Sequence, residues 1–272
     1  MQLMYITNNP LIAQMAEASG VDRVWVDMEW MGKDKRQGGM DTVQSHHTLE
    51  DISALRPVIS KSKLMVRVNP IHDHSKEEID ETIKRGGEII MLPMWKTVDE
   101  VKKFVEFVDG RAVVNLLLET PEAERILPQV LELEGINEIH IGLNDLHLAK
   151  GMKFMFQLLQ DGTVDRICSR IKNKGIPFGF GGIGRMERGT LPADHILGEH
   201  YRLGSTRVIL SRTFCNTTNI QDPELVQRDF MLGVQTIRAY EKLFENFTQE
   251  MFEENHKVVC EEVDRIVSQI QK

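Results

Sequence analysis

The feature that most constrains the fold is a repeated alternation of short apolar runs with amphipathic helical patterns. Short runs rich in Val, Ile and Leu are typical of strands that are buried on both faces of a parallel sheet. We predict eight strands, at Leu3–Thr7, Val24–Trp30, Leu64–Asn69, Ile89–Met94, Val113–Glu119, Glu138–Asn144, Pro177–Ile183 and Arg207–Ser211. Helical patterns lie between them, at Pro10–Ser19, Leu49–Ser60, Glu77–Arg85, Val98–Val108, Glu122–Glu134, Phe156–Lys174 and Leu191–Leu203.

Eight consecutive strand–helix units predict an α/β fold of the (β/α)8 TIM-barrel type. A doubly wound open sheet is the alternative, but its first turn usually carries glycines, and residues 7–10 here are Thr-Asn-Asn-Pro. We place the barrel, as the catalytic domain, at residues 1–215. Residues 216–272 form a C-terminal helical extension, too long for one closing helix, which we expect to pack on a neighbouring subunit. Residues 31–47 are a polar insertion after the second strand, where barrel enzymes keep active-site loops.

Composition excludes several classes of protein. The formal charge is −8 and the pI is about 5.6, which argues against binding to nucleic acid or to anionic membranes. No apolar run is long enough to span a bilayer, and the first residues lack a secretory pattern. Three scattered cysteines without CxxC spacing are typical of free thiols in a reducing compartment. We therefore expect a cytoplasmic protein.

Two carboxylates at strand ends are the most informative candidates for chemistry. Glu119 and Asp145 each close an apolar run, and the two strands are neighbours in a barrel. Active sites of such barrels lie at the carboxyl ends of the strands, so the two side chains can converge there. Two carboxylates with open positions suit Mg²⁺ or Mn²⁺. The alternative is that each is a solvated strand-end acid or caps a helix.

Arg67 ends the third strand, and Asp27 and Glu29 lie at the end of the second. A planar guanidinium at this position suits a substrate carboxylate or enolate oxygen. The alternative, which is compatible with the first, is an ion pair between Arg67 and one of these acids.

Other residues at the same predicted rim support weaker hypotheses. The glycine-rich turn at 179–185, with Gly182, Ser211 and Arg212, is a candidate phosphate site, or else a place of close backbone packing. Histidines are candidates for acid–base work, and those near the rim are His46, His47, His72 and His74. Four apolar residues near the same rim either pack within the loops or form an apolar wall around a small substrate, namely Trp30, Met31, Met94 and Trp95.

The ordered segments VWVDMEW, LMVRVNP, GGEIIMLPM, LLLET and IHIGLNDL resemble the HpcH/HpaI aldolase/citrate lyase family of metal-dependent class II pyruvate-type aldolases, over roughly residues 1–215. The resemblance implies Mg²⁺- or Mn²⁺-dependent cleavage and formation of carbon–carbon bonds next to a pyruvate-type enolate. It makes Glu119 and Asp145 the metal ligands and Arg67 the support of the enolate oxygen. The turn at Gly142, Leu143 and Asn144 would hold the substrate carboxylate. The family's exchange of terminal helices implies a homo-oligomer formed through the C-terminal helices.

The sequence departs from the family pattern at the proton-transfer groups. Trp30 stands where the aldolases have a histidine, and Lys84 stands where they have the aspartate that partners it. Leu117 replaces a glutamine that is frequent in the family. Asp27, Glu29, His47 and His72 are therefore our catalytic candidates beside Arg67.

Three hypotheses for function follow. The first is a divalent-metal-dependent carbon–carbon lyase or aldolase that acts on a small 2-oxo acid. The second keeps the barrel and the metal but assigns a phosphorylated substrate, similar to phosphoenolpyruvate or a sugar phosphate. The third is a non-catalytic barrel that binds a ligand or assembles through its tail.

Overall fold

The computed structural model describes residues 1–32, 47–211, 214–215 and 222–270. Eight parallel strands close into a barrel in chain order, with β1 paired to both β2 and β8. The strands are β1 (Gln2–Ile6), β2 (Arg23–Asp27), β3 (Lys63–Arg67), β4 (Ile89–Leu92), β5 (Val113–Leu118), β6 (Glu138–Ile141), β7 (Phe178–Ile183) and β8 (Arg207–Leu210). The predicted (β/α)8 barrel is confirmed.

The described helices alternate with these strands and then continue past β8. They are α1 (Pro10–Ala18), α2 (Leu49–Leu55), α3 (Ser75–Lys84), α4 (Val98–Val108), α5 (Pro121–Val130), α6 (Leu143–Ala149), α7 (Gln157–Gln160), α8 (Thr163–Asn173), α9 (Ala193–Leu203), α10 (Pro223–Phe244) and α11 (Gln249–Ile270). A 3₁₀ turn at Arg56–Val58 follows α2.

Several predicted boundaries were wrong, for local reasons. The predicted helix 49–60 breaks into α2 and a 3₁₀ turn at Pro57. The predicted helix 156–174 is interrupted at Gly162, whose φ of 74° a continuous helix does not accept. The sixth strand ends at Ile141, because Gly142 is the N-cap of α6. Asp145 consequently lies in the first turn of a helix rather than at the end of a strand.

The barrel has an apolar layer inside and a larger apolar shell outside. The inner cluster contains Met4, Trp25, Met65, Ile89, Met91 and Leu117. The outward side chains of the strands pack against the helices in one continuous core. At each end of the barrel the inward side chains are polar. The apolar layer lies between the two polar ends and separates them.

The two C-terminal helices pack on the barrel of their own chain. The N-terminal amine of Met1 forms an ion pair with Glu241 of α10 at 2.7 Å. His256 of α11 forms a 2.9 Å contact with the fully buried Glu199 of α9, which also pairs with Arg202. Packing of the extension on a neighbouring subunit and the domain boundary at residue 215 stay predictions.

Candidate active site

Arg67 is the centre of an ion network at the C-terminal end of the barrel. Its Nε and Nη2 donate to the two carboxylate oxygens of Asp27, at 2.7 and 2.8 Å. Its Nη1 lies 3.1 Å from an oxygen of Glu29. Burial by itself lowers the pKa of Arg67, but Asp27 and Glu29 outweigh burial and raise that pKa. The ion-pair interpretation of Arg67 is therefore correct, and the two acids hold the guanidinium inside the barrel.

Glu119 follows β5 and is buried beside this network. Its Oε1 accepts a hydrogen bond from the N–H of Met94 at 3.1 Å. Burial raises the pKa of Glu119 well above its ordinary value. The neighbouring Glu29 and Asp145 raise it further, and Arg67 opposes them. The two predicted metal ligands, Glu119 and Asp145, are thus close enough to interact electrostatically, as their neighbouring strands predicted.

Gly142 lies directly against Glu119. A Cβ at position 142 would come within 2.7 Å of the Glu119 Cβ and 2.9 Å of its Oε2, both closer than real Cβ contacts allow. The Gly142 N–H donates to the Leu118 carbonyl at 2.9 Å, which ties the end of β6 to β5. Only glycine therefore leaves room for the carboxylate of Glu119. Leu143 is buried, whereas Asn144 and Asp145 are half-buried in the first turn of α6.

Four carboxylates of the described residues crowd this end of the barrel, those of Asp27, Glu29, Glu119 and Asp145. Arg67 interacts with three of them, Asp27, Glu29 and Glu119. Crowded carboxylates of this kind attract a cation, and hard oxygen donors suit Mg²⁺ or Mn²⁺. Within the described residues, no group of three or more His, Cys, Asp or Glu side chains has the arrangement of a metal site.

His47 contacts the network through the backbone. Its Nδ1 accepts a hydrogen bond from the N–H of Asp27 at 3.0 Å, so the proton of the neutral ring is on Nε2. His47 therefore lies beside the acidic cluster, as a proton-transfer candidate should. His46 and Arg212, which the sequence also singled out, lie outside the described residues.

His72 has both ring nitrogens engaged with the protein. Nδ1 accepts from the N–H of His74 at 3.2 Å, so Nε2 carries the proton and donates to Glu78 at 3.2 Å. His72 would have to break one of these contacts before it could transfer a proton to a substrate. The geometry gives it a positioning role, and its catalytic role stays a prediction.

A hydrogen-bonded support that the sequence interpretation missed holds the rim in place. Asn69 Oδ1 accepts from the N–H groups of Trp30 and Met31, both at 3.1 Å. Asn69 Nδ2 donates to Glu78 at 2.7 Å. The quoted segment LMVRVNP contains Asn69, but Glu78 lies on α3, and no sequence spacing connects the two residues with Trp30.

The rim aromatics have different roles. Trp95 is 1% exposed and belongs to the core, so the packing interpretation is the correct one for this residue. Trp30 is 66% exposed, which leaves its indole available at the rim. Lys84 is the last residue of α3, and its neighbours Ile83 and Gly86 line a cavity at the opposite, N-terminal end of the barrel. Lys84 and Trp30 therefore lie at opposite ends of the barrel within one chain, and the assignment of these two positions to a lost dyad stays a prediction.

The glycine-rich turn is explained by close packing. A Cβ at Gly179 would come within 2.3 Å of the Arg207 carbonyl oxygen, and one at Gly182 within 3.1 Å of the Ile209 carbonyl oxygen. The N–H of Ser211 donates to the Ile183 carbonyl at 2.8 Å. Arg185 extends away to α10, where its Nη2 donates to the Asp229 carbonyl at 2.6 Å. These contacts do not favour the phosphate hypothesis, and substrate binding by Gly182 and Ser211 stays a prediction.

Comparison with solved structures identifies the same architecture. An HpcH/HpaI aldolase from Desulfitobacterium hafniense DCB-2 superposes with a TM-score of 0.60 at 15% identity, covering 87% of this chain and 92% of that one. A protein of the HpcH/HpaI aldolase/citrate lyase family from Burkholderia cenocepacia J2315 gives a TM-score of 0.63 at 12% identity, over 89% and 94%. A macrophomate synthase gives 0.57 at 15% identity, over 90% and 85%. At these identities the likeness shows the fold alone.

No helix among the described residues has both the length and the apolar character needed to cross a membrane. No curated protein resembles the chain closely enough in sequence to count as a match. The profile of the HpcH/HpaI aldolase/citrate lyase family matches residues 2–155, more than half of the chain, and the chain therefore belongs to this family of lyase- and aldolase-type enzymes.

Proposed function

We propose that the chain is a divalent-metal-dependent carbon–carbon lyase or aldolase that acts on a small 2-oxo acid of the pyruvate type. The observation that carries the proposal is the crowding of Glu29 and Asp145 beside the buried Glu119, whose pKa both of them raise. Carboxylates brought this close together favour a bound cation or a proton.

Glu119 and Asp145 would hold the metal. Gly142 supports this assignment, because its missing side chain leaves the Glu119 carboxylate room beside α6. Mg²⁺ or Mn²⁺ is usually bound by one or two carboxylates and completes its shell with water and substrate oxygens. When bound, the ion would supply Lewis-acid stabilisation of the negative charge that develops on a 2-oxo acid as its enolate forms.

Arg67 is suited to stabilise the oxygen of the substrate enolate by hydrogen bonding. A guanidinium has five N–H donors, and the contacts with Asp27 and Glu29 account for three of them. The donors that remain, one on each Nη nitrogen, can reach a substrate oxygen without breaking the ion pairs. Asp27 and Glu29 thereby position Arg67, and a donor fixed in advance stabilises developing charge most effectively.

The remaining site roles are extensions of this proposal. The backbone of Gly142, Leu143 and Asn144 would hold the substrate carboxylate, with the N–H groups of Leu143 and Asn144 as donors because the Gly142 N–H already donates to the Leu118 carbonyl. His47 is our preferred group for proton transfer, because it already contacts Asp27. A cytoplasmic location and a homo-oligomer formed through α10 and α11 complete the proposal.

The test is enolate formation, which does not depend on knowing the second substrate. The full chain, stripped with a chelator and reloaded with Mn²⁺ or Mg²⁺, is mixed with pyruvate in D₂O, and ¹H NMR follows loss of the methyl signal. We expect metal-dependent exchange that falls about 100-fold or more in Glu119→Gln and in Asp145→Asn.

The matched control is Glu122→Gln, a partly exposed acid in the first turn of α5 with the same change of charge. It should exchange pyruvate protons at the wild-type rate. Exchange that is indifferent to chelator, or equal in Glu119→Gln and wild type, would contradict the metal assignment. Absence of exchange with pyruvate and with larger 2-oxo acids, despite bound metal, would favour the non-catalytic alternative.

A further inference from the structure

A cavity of about 850 Å³ lies at the N-terminal end of the barrel, opposite the candidate active site. Three consecutive turns form its wall, those that lead into β4, β5 and β6. Each turn contains a glycine with positive φ, namely Gly86 at 105°, Gly110 at 67° and Gly135 at 86°. Around a Cβ built on Gly110 there is no atom within 4 Å, so this turn leaves open space, whereas a Cβ at Gly86 or Gly135 would contact Arg56 or Val105.

The charged residues of the wall are mostly cations. Arg23, Lys63 and Arg111 line the cavity together with two acids, Glu88 and Glu138. The exposed acids Asp109 and Glu134, which flank two of the turns, are not part of the wall. In a chain with a net charge of −8, the wall of this cavity therefore has a local excess of positive charge.

Each acid of the wall is already shared between two cations. Glu138 contacts both Arg23 and, at 3.2 Å, Arg207. Glu88 pairs with Lys63 and with Arg56, both at 2.6 Å. Because each carboxylate is paired with two cations, the positive charges around the cavity are only partly neutralised.

Arg207 shows this shortage of negative charge most clearly. Its side chain lies behind Glu138 and the residue is 5% exposed. Within the described part of the chain, its Nε and Nη1 have no hydrogen-bond acceptor. Arg207 does not line the cavity, so it adds positive charge beneath the wall, and an anion in the cavity would reduce the cost of burying that charge.

Lys63 and Arg111 are the groups that can turn toward a ligand. Lys63 is 62% exposed at its pair with Glu88, and Arg111 is 41% exposed at its pair with Asp80. Exposed ion pairs contribute little to stability, so Lys63 can exchange Glu88 for a ligand at small cost. Arg111 also donates to the carbonyls of Val108 and Phe107, and its Nη1, which takes part in none of these contacts, can donate to a ligand.

We propose that this cavity binds a small oxyanion with two or more negative charges, bearing phosphate or carboxylate groups, through Lys63 and Arg111 above the Arg23–Glu138–Arg207 cluster. The site is separate from the acidic end of the barrel, and the proposal does not depend on the proposed function.

The test is calorimetric titration of the full chain with inorganic phosphate, and in a second arm with succinate, at constant ionic strength. We expect saturable binding of at least one of the two anions, and the arm that binds identifies the anion class. The variant Lys63→Gln/Arg111→Gln should weaken that binding about tenfold or more. Lys102→Gln/Lys103→Gln on the exposed side of α4 removes the same charge away from the cavity and should bind as wild type does.

A second variant separates the cavity from its charges. Val113→Phe adds bulk at a lining position that is 36% exposed and leaves every charge in place, and it should also weaken binding. Circular dichroism and thermal unfolding report whether each variant folds. Failure of both anions to bind wild type would overturn the proposal, and so would equal weakening in the Lys102/Lys103 control, which would indicate general charge attraction.

Discussion

Replacing Arg67 with methionine tests whether the ion network stabilises the barrel. The substitution keeps a similar side-chain length but removes the partner of Asp27 and Glu29, whose carboxylates are 2% and 1% exposed. Removal of one partner from a buried ion pair typically costs about 3–5 kcal/mol, because the remaining charge is buried without compensation. We expect the free energy of unfolding to fall by about that amount, as measured by urea denaturation at pH 7.5.

The pH dependence of this loss has a definite sign. In the wild type, Arg67 opposes the rise in the pKa of Glu119 that burial, Glu29 and Asp145 cause. Without Arg67 the folded-state pKa of Glu119 rises further above its unfolded value of 4.5. A group with a raised folded-state pKa loses its stabilising contribution as pH rises through that pKa. Arg67→Met should therefore be destabilised more at pH 8 than at pH 5.

The control is Arg85→Met, which removes a guanidinium that pairs with Glu50 and Glu81 at the end of α3, where both acid side chains are largely in solvent. It should change the free energy of unfolding far less, since exposed pairs contribute little. If Arg67→Met and Arg85→Met lost equal stability, or if the loss at Arg67 did not depend on pH, our account of the acidic cluster would be refuted.

Two further predictions concern the barrel interior. Gly142→Ala should lower the free energy of unfolding by about 1–3 kcal/mol, because the added Cβ would displace Glu119. The variant should lose metal-dependent proton exchange of pyruvate while its circular dichroism remains native-like. Proton exchange at the wild-type rate would refute the contact between Gly142 and Glu119. Burial lowers the pKa of His140 to about 3 from an unfolded value of 6.5. Below pH 6.5 the unfolded chain therefore binds more protons at this residue than the folded chain does. The free energy of unfolding consequently falls by about 1.4 kcal/mol for each pH unit of acidification. Urea titrations between pH 5 and 6.5 give the slope of the unfolding free energy against pH, which counts the protons taken up on unfolding. His140→Gln should reduce that count by about one, and an unchanged slope would contradict a buried, neutral histidine.

The architecture was predictable because its signal is local and repeated. Each strand is a short apolar run, and the neighbouring strands of a barrel are consecutive in sequence, so Glu119 and Asp145 could be placed together without coordinates. The pairing of Arg67 with Asp27 was foreseen as an alternative for the same reason, since β2 and β3 are adjacent.

Contacts that depend on a bend of the chain were not predictable. Position 142 was predicted to continue a strand, whereas Gly142 is a helix cap pressed against Glu119. The support of Trp30 by Asn69 and Glu78 depends on how the third loop folds back, and no periodic pattern encodes that path.

The polar cluster of Arg23, Glu138 and Arg207 was missed for a different reason. These residues begin β2, β6 and β8, and charged residues at the start of a strand are normally expected in solvent. Here they are buried, because the inward positions of a closed barrel face one another rather than water. Their pairing joins residues 115 positions apart, a distance that only barrel closure makes short.

The two ends of the barrel consequently have opposite electrostatic needs. Strand β2 shows this on a single strand, with the cation Arg23 at its start and the carboxylate Asp27 at its end. Four residues of strand separate charges by about 13 Å, and the apolar layer of Trp25 and its neighbours lies between them. The charges of one end therefore cannot neutralise those of the other. We therefore expect each end to bind its own counter-ion, a cation beside Glu119 and an anion at Lys63 and Arg111.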